Sequence, residues 1–312
     1  MKKKIIRWFG YFLMVLLLSA CQIKESSEIV PEEIPKSDVG EIRPTDEKII
    51  GITIDDSWYD SIQLSQIVEA IRKMPAKPTV RIVMSRDIHP IEYVEMFKKI
   101  HEVAYVMASP VDSYDMIYYK NEASYRKRFA ESYGALNDYV DFWEIGNEIN
   151  GEGWLGDDNK LIVEKMISAF ELLEGKKAKT VLTAYYTAPG FQQVDMHEWL
   201  RKNVPKSMKN RLDYLFVSYY EDDNENFAPN WQEIFEKLEK DFPNTKLGIG
   251  ECGVSNEKAT LDEKIKKAEH YYSMPKYTEN YVGGYFWWYW VTDCVPHDNN
   301  KLYETINESM GS

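Results

Sequence analysis

Eight short runs rich in β-branched and aromatic residues recur along this chain at a steady interval, and no other feature restricts its fold as much. They end near Asp55, Met84, Met107, Glu148, Tyr185, Tyr220, Glu251 and Trp290, about 23 to 41 residues apart, which suits the roughly 250 residues of an eight-unit βα barrel. The stretches between them are amphipathic. Ile162, Met166, Ala169, Phe170 and Leu173 fall on one helical face, as do Trp231, Ile234, Phe235 and Leu238. A doubly wound open sheet is the main competitor, but Ile54, Asp55, Asp56 and Ser57 stand where its glycine-rich phosphate turn would follow the first strand. The rhythm therefore predicts one α/β domain, a (β/α)8 TIM barrel, over residues 45–312.

What precedes the barrel reads as an address. Lys2, Lys3, Lys4 and Arg7 are followed by an apolar stretch from Trp8 to Leu18 and then by Ser19, Ala20 and Cys21, the layout of an export signal. The apolar run is shorter than the roughly 20 residues a bilayer core demands of a spanning helix. Leu18, Ser19, Ala20 and Cys21 resemble the bacterial lipobox, which implies that residues 1–21 are a lipoprotein signal peptide and that Cys21 is lipidated. The expectation is an exported chain anchored to the bacterial membrane or cell surface. Residues 22–44, rich in Glu, Ser, Pro and Lys, bury too little apolar area to repay ordering and read as a flexible tether.

Charge removes whole classes of partner. With 38 basic against 51 acidic side chains, the chain lacks the electrostatic footprint of a nucleic-acid binder. Losing the signal removes bases and no acids, so the folded surface is not expected to adhere to anionic lipid, and the acyl anchor must hold it. Three cysteines and five histidines without close clustering point to no metal, and nothing calls for an organic cofactor. Cys252 and Cys294 come from neighbouring strands at one rim, so whether they pair as a disulfide turns on their Cα separation. A monomer is expected.

Two glutamates carry the chemistry. Phe142, Trp143, Glu144, Ile145, Gly146, Asn147 and Glu148 close the fourth run, and Leu247, Gly248, Ile249, Gly250 and Glu251 close the seventh. In a TIM barrel the active site forms at the carboxyl ends of the strands, so Glu148 and Glu251 should converge across the mouth. Two converging carboxyl groups suit cleavage of a glycosidic bond, in which one protonates the departing oxygen while the other attacks or activates water.

These segments resemble the large clan of retaining glycosidases whose barrels carry glutamates on strands four and seven, among them cellulases, mannanases and endo-β-galactanases. The resemblance spans roughly residues 47–312. It implies that Glu148 is the acid/base, that Glu251 is the nucleophile and that Asn147 binds the sugar 2-hydroxyl. It also implies that Arg81, within Thr79–Val83, pairs with the nucleophile and keeps it ionised, while Glu148 holds its proton. Ser218, Tyr219 and Tyr220 occupy the place where many members show His-x-Tyr, so Tyr220 would donate to Glu251. Serine replaces the histidine here, as it does in the galactanases. Members place a tryptophan at the end of strand eight beneath the sugar, and strand alternation sets 286, 288 and 290 on one face. Trp290 is the first choice for that platform and Trp288 the second. Trp154, in the loop after Glu148, is positioned to line a neighbouring subsite.

The expected function is hydrolysis of β-glycosidic bonds in a poly- or oligosaccharide by double displacement. Two alternatives stay open: a non-catalytic carbohydrate-binding barrel lipoprotein, and a transglycosylase that remodels an envelope polysaccharide. Glu144 shares a face with Glu148 and reads as a buried structural carboxylate bound by a barrel arginine. Trp199 and Trp231 read as helix packing. Asp55 and Asp56 suit sugar contacts and helix capping equally, and Asp293 and His297 divide in the same way between substrate and surface.

Overall fold

The computed structural model describes residues 48–151, 155–156, 158–191 and 195–310. Eight strands pair side by side in chain order, all parallel: β1 (Ile49–Ile54), β2 (Thr79–Val83), β3 (Tyr105–Ser109), β4 (Phe142–Gly146), β5 (Thr180–Tyr185), β6 (Tyr214–Ser218), β7 (Lys246–Glu251) and β8 (Tyr281–Trp287). β8 also pairs with β1, which closes the (β/α)8 TIM barrel that the spacing predicts. The signal with Cys21, the tether and Trp154 lie outside the described residues. Among the described residues, no helix is long and apolar enough to cross a membrane.

The strands alternate with α1 (Leu64–Arg72), α2 (Val94–His101), α3 (Glu122–Leu136), α4 (Asn159–Glu174), α5 (Met196–Asn203), α6 (Lys206–Lys209), α7 (Trp231–Asp241) and α8 (Leu261–Tyr272), with α9 (Trp290–Cys294) and α10 (Lys301–Met310) after β8. Both apolar stripes read from the sequence turn inward, Ile162 to Leu173 on α4 and Trp231 to Leu238 on α7. Polar caps mark where loops at the carboxyl ends of the strands hand over to helices. The carboxylate of Asp158 accepts from Leu161 N, Asn230 accepts from Glu233 N, and Thr260 and Glu263 satisfy each other's backbone N–H groups as a capping box.

Packing divides the molecule into two apolar layers. Inside the barrel Ile49, Met107, Phe142, Val181, Phe216 and Phe286 form a plug. Outside, the opposite faces of the strands meet the helices in one continuous cluster. This floor of side chains leaves only the carboxyl ends of the strands for polar chemistry.

A bulge on β7 sets the direction of the last residue before the mouth. Val217 pairs with Ile249 but Ser218 pairs with Glu251, so Gly250 is the extra residue. Leu247 and Ile249 face the helices, and strict alternation would send Glu251 the same way; the bulge turns it into the barrel. Only glycine fits there, because a Cβ on Gly250 would lie 2.7 Å from Phe216 Cβ and 2.9 Å from Thr183 Cγ2.

Candidate active site

Arg81 is the hub of the polar layer above the plug. It is fully buried on β2 and donates through Nη1 to Glu251 Oε2 at 2.7 Å, and through Nε and Nη2 to Glu144 Oε2 at 3.0 and 2.9 Å. Thr183 on β5 adds a donor to Glu144 Oε1 at 2.5 Å. Glu144 is thus a fixed structural counter-ion, and a guanidinium buried this deeply is held by two carboxylates rather than one.

The two glutamates receive different partners. Tyr220, in the loop after β6, donates to Glu251 Oε1 at 2.8 Å, so the Glu251 carboxylate is gripped by a phenol and a guanidinium. Among the described residues Glu148 receives only neutral hydroxyls, Ser218 Oγ to Oε1 at 2.6 Å and Ser113 Oγ to Oε2 at 3.1 Å. Burial pushes Glu148 up to about 8, with the negative charges of Glu251 and Asp112 adding to it and the two serines opposing. Burial also raises Glu251, but Arg81 and Tyr220 pull it back. These partners favour the proton on Glu148 and the charge on Glu251. Glu148 holds its place with a φ of 46°, in the left-handed region that a glutamate seldom adopts, a strain characteristic of functional loops.

Asn147 and Asp112 form the third part of the site. Asn147 is 1% exposed and donates through Nδ2 to Asp112 Oδ1 at 3.0 Å, while its Oδ1 has no partner among the described residues. Burial raises Asp112, against the opposing pull of Arg81 and Asn147. Asp112 and Ser113 begin a 3-10 turn after β3 and touch Asn147 and Glu148, yet neither belongs to a motif in the sequence. Nor does anything in the sequence assign Ser218 its bond to Glu148.

The aromatic rim requires a correction. Trp290, the first choice for the sugar platform, is 0% exposed and packs near Tyr303, at 6.4 Å between ring centroids. β8 ends at Trp287, the chain turns into α9, and the strand alternation that sets 290 beside 288 no longer applies. Trp288 is partly exposed, with its ring 5.4 Å from the Arg81 guanidinium, which sets it against the polar layer. Tyr114 stands 68% exposed in the field of Glu148, Asp112 and Glu251, and Tyr185 lies in the field of Glu148 and Glu251. Sequence reasoning assigns neither to the site: Tyr114 lies in a loop without pattern, and Tyr185 is read only as the end of the fifth run.

Other candidates resolve as structural. Asp293 accepts from Lys264 Nζ at 2.6 Å and from Trp287 Nε1 at 2.9 Å, which ties α8 to the end of β8. Trp199 is buried and donates to Asn159 Oδ1 at 2.9 Å. Asp55 accepts from Ser57 Oγ at 2.8 Å, and Asp56 accepts from Ser85 Oγ. Cys252 and Cys294 are both buried free thiols.

No protein-family model matches the chain, and no curated protein matches it. Among solved structures, Saccharomyces cerevisiae Gas2p in complex with laminaritriose and laminaritetraose aligns with a TM-score of 0.54 at 13% identity, over 85% of this chain and 64% of that one. A Prevotella bryantii endo-β-mannanase/endo-β-glucanase aligns with a TM-score of 0.57 at 15% identity, over 84% of this chain and 49% of that one. The chain spans less than two thirds of either relative's length, and at these identities the likeness is one of fold.

Proposed function

We propose that this chain hydrolyses β-glycosidic bonds with retention of configuration, with Glu251 as nucleophile and Glu148 as acid/base. The observation that carries the reading is the unequal partnering of two electrostatically coupled glutamates, among the described residues a guanidinium and a phenol on one and only serine hydroxyls on the other. That inequality supplies at neutral pH one ionised and one protonated carboxyl group, the pair that double displacement needs. The fold neighbours support the substrate class, since one is bound to laminari-oligosaccharides and the other is named for cleavage of β-mannan and β-glucan.

In this mechanism Glu251 Oε attacks the anomeric carbon while Glu148 passes its proton to the departing glycosidic oxygen, giving a glycosyl ester on Glu251. Glu148, now a carboxylate, takes a proton from water as that water attacks the same carbon and releases Glu251. Asn147 Oδ1 accepts from the substituent at C2, and Trp288 lies under the ring. The sequence of residues 1–21 supports export and lipidation at Cys21, which would present this mouth outside the cell on a tether.

The test is hydrolysis of aryl β-glycosides and of a polysaccharide panel by wild type and by Glu251→Gln, with the anomer of the first product read by NMR. The reading predicts β-product from wild type and none from the variant. Equal activity in both, or an α-product, contradicts it.

A further inference from the structure

Asn147, Asp112 and the loops around them give the mouth one sign of charge and one kind of hydrogen-bonding group. Arg81 is the single buried cation of the cluster, and all three of its donor nitrogens are engaged by Glu144 and Glu251. One guanidinium serves three carboxyl groups, hydrogen-bonded to Glu144 and Glu251 and felt by Asp112 only through its field, and burial raises Asp112, so a further cation beside Asp112 is favoured in this low-dielectric site. Asn147 turns its NH2 toward Asp112 because a carboxylate only accepts, and this leaves Oδ1, buried and unpartnered among the described residues, as an acceptor. A buried acceptor without a donor is destabilising, so a ligand that brings one is favoured.

The rim continues the pattern. The loops after β1, β4, β5, β6 and β8 contain no lysine or arginine in the sequence. Asp222 and Asp223 bond to Ser255 rather than to a cation, and their field reaches Tyr289. Of the cations nearby, Arg86 pairs with Asp87 and Asp115, Lys264 with Asp293, and Lys267 with Glu221, whereas Lys120 in the loop after β3 donates to the Ile117 carbonyl and Lys258 stands exposed in the loop after β7.

We propose that the sugar seated beside Asn147 and Asp112 carries a free, protonated amine at C2, so that the substrate is a β-linked glycan of 2-amino-2-deoxy sugars. An ammonium donates to both Asn147 Oδ1 and the Asp112 carboxylate and neutralises part of the excess charge. A 2-hydroxyl donates once and leaves the charge. An acetamide N–H likewise donates once, carries no charge and adds an acyl group to be accommodated, and a uronate adds a further negative charge to the mouth. This inference rests on the glycosidase reading above for the placement of C2 at Asn147.

The test separates the two. Binding of glucosamine oligosaccharides with β-1,4 and β-1,6 linkages, their N-acetylated forms and laminari-oligosaccharides is measured by calorimetry on Glu251→Gln, at about pH 6, where an amine of ordinary basicity is charged. Hydrolysis of the same set by wild type is followed in parallel. The expectation is that one amino-sugar series binds at least about tenfold tighter than its acetylated and neutral counterparts, a preference of the size of one charge-assisted contact. Its binding should also weaken as salt rises from low to physiological strength. Asp112→Asn should abolish that preference while retaining the weaker binding of neutral sugar. Should Asp112→Asn not fold, the salt dependence of Glu251→Gln binding decides alone. Equal or tighter binding of acetylated or neutral sugars, without salt dependence, overturns the inference and leaves the hydrolase reading intact; failure of wild type to cleave any sugar, with amino-sugar binding retained, overturns the hydrolase reading instead.

Discussion

Arg81 and Glu251 meet inside the barrel at 2.7 Å, their side chains 0% and 7% exposed. Glu144 shares the same guanidinium, so the cation that steadies the proposed nucleophile also neutralises a carboxylate with no access to substrate. Removing one partner of such a cluster leaves the others buried and unpaired. Arg81→Met is therefore expected to lower stability by about 3–5 kcal/mol as well as activity. Urea unfolding monitored by tryptophan fluorescence checks this, and a loss below about 1 kcal/mol would show that the two carboxylates find other relief.

The pH dependence follows from the unequal partners of the two glutamates. Glu148 must be protonated to act as acid, so kcat/KM should fall on the alkaline side with a midpoint near the value of about 8 set by burial and by Glu251. The acidic limb belongs to Glu251, which must be ionised, and should lie above the ordinary glutamate range because burial raises it. A pH–rate profile on an aryl β-glycoside tests both limbs. An alkaline limb absent up to pH 10 would remove Glu148 from the acid role.

The raised pKa of Glu148 also bears on stability. Its folded value lies above its unfolded one, so its contribution is fully present below about 4.5 and is lost as pH rises through about 8. Glu148→Gln has no titrating proton to lose. The variant should match wild type near pH 4 and exceed it by up to a few kcal/mol at pH 8 and above, the order given by about 1.36 kcal/mol for each pH unit between the unfolded and folded values. Thermal melts of both proteins across that window decide it. A difference independent of pH would place the effect in packing.

The neighbouring tryptophans should separate cleanly. Trp288→Ala is expected to raise KM severalfold and leave the melting temperature nearly unchanged, since the ring is partly exposed beside Arg81. Trp290→Ala should cost about 3–5 kcal/mol of stability, as truncation of a fully buried tryptophan does. If Trp290→Ala instead raised KM without destabilising, Trp290 would be returned to the sugar platform.

The difference between those two residues shows where sequence reading reaches its limit. Eight evenly spaced runs and two apolar helical stripes encode the barrel, because burial on a fixed period leaves a mark on every unit. The placement of Glu148 and Glu251 at the ends of the fourth and seventh runs is legible for the same reason, since strand number and direction fix the mouth, whereas Arg81 and Tyr220 are picked out only by the resemblance. What breaks the period is not legible. Strict alternation would turn Glu251 outward, and the Gly250 bulge reverses it; alternation carried past Trp287 places Trp290 wrongly, because a helix begins where the strand ends. Asp112, Ser113 and Tyr114 escape notice because a loop after β3 has no periodicity, and their role depends on which strand-end residues it folds against.

The central claim is that Glu148 and Glu251 divide the chemistry as acid/base and nucleophile, and azide rescue tests it most directly. With an activated aryl β-glycoside as substrate, Glu251→Gly supplied with azide should release the α-glycosyl azide, because azide takes the nucleophile's place on the α-face. Glu148→Gly should release the β-glycosyl azide, because azide then intercepts the intermediate on Glu251. Rescue of Glu251→Gly with β-stereochemistry, or recovery of neither variant while both remain folded, would contradict the assignment.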